Sequence, residues 1–174
     1  MCMYRCMLVL LTCRAVSIAY AGEGPELGEV VTDTQLQAID LLILPHGEGL
    51  PAGAGNAVTG AKVYGQHCVA CHGAGGQDGI NDRLVGGRDS LDTARPVKTV
   101  GSYWPYATTI FDYVRRAMPL HAPGSLSDNE LYAVTAYLLQ LNGIIDADAE
   151  MNALTLPQVE MPNRDNFVQI YPSE

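Results

Sequence analysis

Residues 68–72 read CVACH, and this stretch decides the fold of the chain. Two thiols separated by two residues can add across the two vinyl groups of a haem, and the histidine that follows is then held as an axial ligand of the iron. The spacing therefore predicts one haem c, attached through Cys68 and Cys71, with His72 binding the iron. A redox dithiol, which favours a βαβ context, and a zinc site, which needs a fourth ligand, are the other interpretations.

The first residues of the chain resemble a targeting segment. Residues 1–21 contain the other three cysteines, an early arginine, a short apolar run and the ending AYA. This layout is typical of a secretory signal peptide cleaved after Ala21, and because Arg14 interrupts the apolar run, retention as an anchor stays open. The run is too short to span a bilayer as a helix, so no stable membrane insertion is expected. Export predicts a periplasmic protein whose only thiols are Cys68 and Cys71.

The chain is acidic. Its 174 residues carry a net charge of −9, and without residues 1–21, which hold two arginines and no acid, eight Lys and Arg face nineteen Asp and Glu, a net charge of −11. Such a balance argues against binding to nucleic acid or to an anionic membrane surface. It favours either a basic docking face on a partner protein or simple solubility.

Two helix starts are visible before the CVACH stretch. Thr32, with a glutamine three residues later, forms a capping box that predicts a short helix to about Asp40. Asn56 is placed to cap a helix that leads into Cys68. Gly60 lies inside that helix, where glycine is unfavourable, and so marks a point at which another helix crosses.

Two further helices follow. Residues 106–117 place apolar side chains on one face and charged ones elsewhere. Residues 126–141 carry the strongest pattern, in which a capping box at Ser127 opens an apolar stripe, and Asn142 followed by glycine ends it. We expect one domain over residues 56–145. Residues 22–55 and 146–174 would be irregular extensions, the second either packed on the domain or partly disordered.

An electron-transfer haem needs a sixth iron ligand, and a thioether raises the reduction potential. Met118 follows a helix and precedes Pro119 in a loop that can fold over the haem, so we predict that Met118 binds the iron. Met161, which also precedes a proline, is the second candidate. His121 is a third candidate and would give two histidine ligands.

Other side chains are candidates for the haem surroundings. Tyr103 and Trp104, with Tyr106 nearby, could pack on the haem edge or hydrogen-bond a propionate, and Arg88 and Lys98 could pair with its charge. Each of these could equally be an ordinary surface or core residue. The sequence shows no serine nucleophile with its base, no phosphate loop and no paired carboxylates in a helical register. The chemistry is therefore expected to be that of the cofactor.

The order of these features resembles the class I cytochromes c over roughly residues 56–143. The resemblance rests on Gly60 and Tyr64 in one helix, the CVACH stretch, Met118 with its proline, and the segment LSDNELYAVTAYLLQLN. It implies an all-α fold of three to five helices around one covalently bound haem. In that family the first and last helices cross at a glycine–aromatic contact, which here would involve Tyr137.

A narrower resemblance covers KTVGSYWPYATTIFDYVRRAMPLHAPGSLSDNELYAVTAYLLQLNGII and the tail LPQVEMPNRDNF. These stretches are similar to cytochrome subunits of bacterial sulfur oxidation, namely the SoxD-type partner of sulfane dehydrogenase and the cytochrome partners of sulfite dehydrogenases. The resemblance implies that single electrons arrive from a molybdopterin-containing dehydrogenase subunit and leave to another cytochrome or a terminal oxidase. A general periplasmic electron carrier, and a five-coordinate haem sensor or peroxidase-like enzyme, are the alternatives.

The sequence departs from the family pattern after the CVACH stretch. The family has a proline whose carbonyl accepts the ring N–H of the haem histidine, whereas this chain reads NDRLVGG, with Arg83 in the corresponding place. We expect a backbone carbonyl between Asn81 and Leu84 to take that role.

Overall fold

The structure is a computed structural model that describes residues 28–168 and 170–171, so the predicted signal peptide lies outside the described residues. The chain divides into two compact units between Asp40 and Leu41. In the described part of the first unit, helix α1 spans Asp33–Ile39. The side chain of Thr32 accepts a hydrogen bond from the backbone of Gln35 at 3.3 Å, and the reciprocal bond is also made. The predicted capping box and short helix are confirmed.

The regular elements of the second unit are mainly helices, in agreement with an all-α fold. A two-stranded antiparallel ribbon pairs Ala54 with Asn152 and Gly55 with Met151. Among the described residues, its helices and strands are β1 (Ala54–Gly55), α2 (Ala57–His67), α3 (Val69–His72), α4 (Ala107–Ala117), α5 (Asp128–Leu141), β2 (Met151–Asn152) and a 3-10 helix at Leu156–Gln158.

Local hydrogen bonds set the starts of α2 and α5. Asn56 accepts from the backbone of Thr59 at 2.9 Å, and Ser127 accepts from the backbone of Glu130 at 3.4 Å. The Glu130 carboxylate in turn accepts from the Ser127 backbone at 2.8 Å, which completes the capping box. Both predicted N-caps are confirmed. Leu126 precedes the α5 cap as a buried residue rather than opening the helix.

Helices α2 and α5 cross at Gly60, as predicted. A Cβ built there would lie 2.5 Å from the carbonyl carbon of Ala133 and 2.8 Å from the Cβ of Tyr137. Because real Cβ atoms do not approach so closely, only glycine permits this crossing. The rings of Tyr64 and Tyr137 meet beside it with centroids 5.3 Å apart. The predicted glycine–aromatic contact is confirmed.

The core extends beyond residues 56–145. Ile43 on one side, and Met151, Leu156 and Met161 on the other, are buried in the same cluster as the α4 and α5 side chains. The open choice between a packed and a disordered tail is thus decided for residues 151–161, which pack. None of the helices among the described residues is both long and apolar enough to cross a membrane.

Candidate functional site

A cavity of about 590 Å³ opens beside the CVACH stretch. Its volume lies in the range of small-molecule and cofactor sites. One wall is formed by Cys68, Cys71 and His72. The lining also includes apolar side chains from α4, α5 and one loop, namely Ile110, Val114, Val134, Leu138 and Val100. An apolar cavity with a few polar groups at one wall fits a haem.

The ring of His72 is held by one backbone oxygen. Its Nδ1 lies 2.8 Å from the carbonyl oxygen of Asp82. A carbonyl can only accept, so Nδ1 carries the proton and the lone pair is left on Nε2. This is the tautomer that a metal-binding histidine needs. The prediction of a carbonyl acceptor between Asn81 and Leu84 is confirmed, although the position lacks the family proline.

Residues 81–86, called here the histidine segment, are tied to several elements. Asn81 donates its backbone N–H to the Cys71 carbonyl at 2.9 Å, and Leu84 donates to the Gly76 carbonyl at 2.7 Å. The carbonyl of Gly86 accepts from the hydroxyl of Thr99 at 2.6 Å. The carbonyl that orients His72 therefore belongs to a fixed stretch of backbone.

The Cys68 thiol is not suited to redox exchange. Cys68 and Cys71 are half-buried and not joined to each other. Burial, and to a lesser degree the neighbouring Cys71, raises the pKa of the Cys68 thiol to about 11. A redox CxxC pair requires the opposite shift, because the thiolate is the nucleophile. Within the described part of the chain no three His, Cys, Asp or Glu side chains cluster to hold a metal ion.

The structure separates the candidates for the sixth ligand. Met118 ends α4, is half-buried and lines the same cavity as His72. Met161 is 3% exposed and lies in the core outside the cavity lining, as does Met151. His121 lines the cavity and is exposed at its mouth. Met118 and His121 therefore share the cavity with His72, whereas Met161 lies outside its lining.

The aromatic and basic candidates divide in the same way. Trp104 and Lys98 line the cavity, whereas Tyr103 and Arg88 do not. Tyr103 instead packs against Phe167 of the tail, with ring centroids 5.5 Å apart. Tyr103 and Arg88 therefore lie outside the lining of the cavity.

Several lining residues were not singled out from the sequence. Two pairs of lining residues are four positions apart in one helix, Ile110 and Val114 in α4 and Val134 and Leu138 in α5. Residues at this spacing lie on the same face of a helix, so the apolar stripes predicted these faces, although they did not predict the cavity. Arg83 was noted only as a departure from the family pattern, yet it joins Lys98 as a cation at the cavity. Tyr113 carries no signal in the sequence that distinguishes it from a surface residue.

A family model matches residues 55–138, and its description is cytochrome C oxidase, cbb3-type, subunit III. The match begins just before α2 and ends within α5, so it includes every residue of the CVACH stretch as well as Met118.

Two curated relatives are named thiosulfate dehydrogenase. The one from Stutzerimonas stutzeri is 28% identical over 93 residues, which cover 51% of this chain and 28% of the relative. The one from Psychrobacter arcticus is 28% identical over 102 residues, which cover 55% of this chain and 29% of the relative. The chain thus spans less than a third of the length of these relatives.

A solved structure is similar over most of the chain. The crystal structure of the sulfane dehydrogenase SoxCD from Paracoccus pantotrophus contains a chain that is 38% identical, with a TM-score of 0.77. The match covers 87% of this chain and 73% of that chain. The likeness therefore includes the tail or the N-terminal extension as well as the helices around the cavity.

Proposed function

This chain belongs to the class I c-type cytochromes of sulfur oxidation, and from that premise we propose that it accepts single electrons from a molybdenum-containing sulfur dehydrogenase in the periplasm. The observation that carries the proposal is the meeting of Cys68, Cys71, His72 and Met118 at one cavity. Membership of the family implies haem c. One haem, attached through the two cysteines, is the arrangement that these residues support.

Each residue has a separate role toward the haem. The two thiols would form the thioether links, and His72 Nε2 and the Met118 sulfur would bind the iron. Bound haem supplies a one-electron couple of its iron. The Asp82 carbonyl makes the imidazole of His72 more basic, which stabilises ferric iron, whereas a thioether stabilises ferrous iron.

The side chains of the cavity wall would also affect the reduction potential of the haem. Ile110, Val134 and Leu138 are nearly fully buried and exclude water from the cavity side of the haem. A low dielectric favours the iron state with the smaller net charge. Arg83 and Lys98 are the cations at the cavity and would pair with the haem propionates.

The direction of electron flow rests on the relatives. The chain similar over 87% of this one comes from a sulfane dehydrogenase, which supports a dehydrogenase subunit as electron donor. Another cytochrome or a terminal oxidase would be the acceptor. The activity would reside in the dehydrogenase subunit, with this chain as its electron-transfer partner.

The direct test is reduction of the haem-loaded protein by its cognate molybdenum dehydrogenase. We expect rapid reduction, followed by the haem α band in stopped flow, when sulfite or a sulfane substrate is added to the enzyme. Dithionite reduction shows separately that the haem is competent. A protein that dithionite reduces and the dehydrogenase with substrate does not would instead be a general electron carrier.

Electrons should enter at the mouth of the cavity. Leu120 lines the cavity and is 72% exposed, and Leu154 is 82% exposed outside the cavity lining. Leu120→Lys places a positive charge where a basic docking face of the partner must come close, so we expect slower reduction, mainly through weaker association. Leu154→Lys is the matched control, and equal rates for the two variants would contradict entry at this mouth.

A further inference from the structure

Asn142, the residue that ends α5, joins the last helix to the histidine segment. Its amide nitrogen donates to the Leu84 carbonyl at 3.2 Å and to the Leu138 carbonyl at 2.8 Å. Its amide oxygen accepts from the Gly86 backbone N–H at 3.2 Å. Both donors of the amide face carbonyls and its oxygen faces an N–H, so the side chain fits in one orientation only. From the sequence alone, Asn142 is no more than a helix stop.

A second loop closes over the same side chain. A Cβ built on Gly101 would lie 2.7 Å from the Cβ of Asn142, and the side-chain amide of Asn142 would be closer still. Gly101 is buried and follows Thr99, whose hydroxyl bonds the Gly86 carbonyl at 2.6 Å. Asn142 thus lies where the end of α5, the histidine segment and the loop at 99–101 meet.

We propose that Asn142 is a positioning residue for the axial histidine, acting through the backbone of the histidine segment. Leu84 and Gly86, which it holds, follow Asp82 by two and four residues. Asp82 provides the carbonyl that fixes the His72 ring at 2.8 Å. Where the family has a proline, whose ring stiffens the chain, this chain has hydrogen bonds from the Asn142 side chain to Leu84 and Gly86, next to the Asp82 carbonyl. The proposal rests on the proposed haem site for its spectroscopic readouts.

Loss of the amide should loosen the segment by a measurable amount. Asn142→Ala removes both hydrogen bonds to the histidine segment, and each bond contributes about 0.5–1.5 kcal/mol. The two bonds together contribute about 1–3 kcal/mol, so we expect the amide protons of Leu84 and Gly86 to exchange about 5- to 150-fold faster. Leu84 is the more telling probe, because its own N–H bonds Gly76 rather than Asn142.

Two readouts at the haem follow. If the Asp82 carbonyl is less firmly held, the ring proton of His72 exchanges faster with solvent in paramagnetic NMR spectra. The histidine also becomes less basic, so ferric iron is less stabilised and the reduction potential rises. A purely structural role in ending α5 would move neither quantity.

Asn129→Ala is the matched control. Asn129 lies near the other end of α5, and its side chain accepts one backbone hydrogen bond, from Ala54 at 2.9 Å. This variant should lose stability without changing the exchange at Leu84, the His72 ring proton or the potential. Gly101→Ala, which would displace the Asn142 side chain, should reproduce the effects of Asn142→Ala. It replaces Asn142→Ala in the experiment if Asn142→Ala does not fold.

The outcomes separate this proposal from the proposed function. If Leu84 exchange, the ring proton and the potential match those of Asn129→Ala, Asn142 does not position the histidine. If the wild type carries no thioether-linked haem, the proposed function fails, and amide exchange at Leu84 still decides the role of Asn142.

Discussion

Gly60 of α2 lies against the backbone of Ala133 in α5, at a distance that leaves no room for a side chain. A Cβ at position 60 would stand 2.5 Å from the Ala133 carbonyl carbon. Gly60→Ala should therefore lower the free energy of unfolding by at least about 1–3 kcal/mol, because the helices must separate. Urea denaturation measures this.

Gly65 provides the control in the same helix. A Cβ there would meet nothing within 4 Å. Gly65→Ala should raise the free energy of unfolding by about 0.5–1 kcal/mol, since alanine is the better helix former. Similar effects of the two substitutions would mean that the crossing is looser than described.

Met118→Ala should remove the sixth ligand of the haem iron. We expect loss of the far-red charge-transfer band between thioether and ferric iron, and a lower reduction potential, because the thioether favours ferrous iron. Near-infrared absorption and a redox titration measure the two. Persistence of the band in this variant would show that Met118 is not the ligand.

Met161→Ala is the control for that experiment. The side chain is buried in the core and outside the cavity lining. The variant should lose about 2–5 kcal/mol of stability through the cavity it leaves, while the far-red band remains. His121→Ala should also keep the band, because a haem bound by His121 would show no thioether band in the wild type.

Leu156→Ala should destabilise the whole unit, because Leu156 of the tail is 0% exposed. We expect a loss of about 2–5 kcal/mol. Leu154, two residues earlier, is 82% exposed, and Leu154→Ala should stay within about 0.5 kcal/mol of the wild type. Equal effects in thermal or urea denaturation would show that the tail does not belong to the core.

Stability should fall at high pH because of Tyr132. Burial, followed by the nearby Asp128, raises the pKa of Tyr132 from 10.0 to about 12. The unfolded state therefore loses this proton first, and the stabilisation that is complete below pH 10 declines as the pH rises toward 12. Urea denaturation at pH 8, 10 and 11 follows the decline.

Tyr132→Phe separates this effect from others. The variant loses the hydrogen bond from the hydroxyl to the Pro51 carbonyl, which is 2.8 Å long, at every pH. Its stability should nevertheless fall less steeply above pH 10 than that of the wild type. Tyr171→Phe, at a tyrosine that is 81% exposed, is the control for the slope. An unchanged slope in Tyr132→Phe would assign the decline to other groups.

Features set by neighbouring residues could be predicted from the sequence. Thr32, Asn56 and Ser127 each accept a hydrogen bond from a backbone N–H three residues later. The residue types at the N-cap and three positions later are therefore enough to place a helix start. The CVACH spacing likewise contains its chemistry within five residues. The crossing at Gly60 was also predictable, because a glycine inside a helix costs stability that the close approach of a second backbone can offset.

Features set by distant residues required the fold. The Asp82 carbonyl that accepts from His72 belongs to the histidine segment, which is hydrogen-bonded to Gly76, Thr99 and Asn142. Nothing in the sequence distinguishes Tyr103, which packs on the tail, from Trp104, which lines the cavity one residue later. The burial of Leu156 likewise depends on where the tail packs against the core.

The sequence by itself determined the attachment motif and the helix starts at Thr32, Asn56 and Ser127, since these depend on spacing and local hydrogen bonds, and its resemblance to known cytochromes implied the family. Only the tertiary structure decided which oxygen orients His72, which methionine shares its cavity and that the tail completes the core. Those three features join residues that lie far apart along the chain, and their contacts exist only once α2 and α5 have crossed.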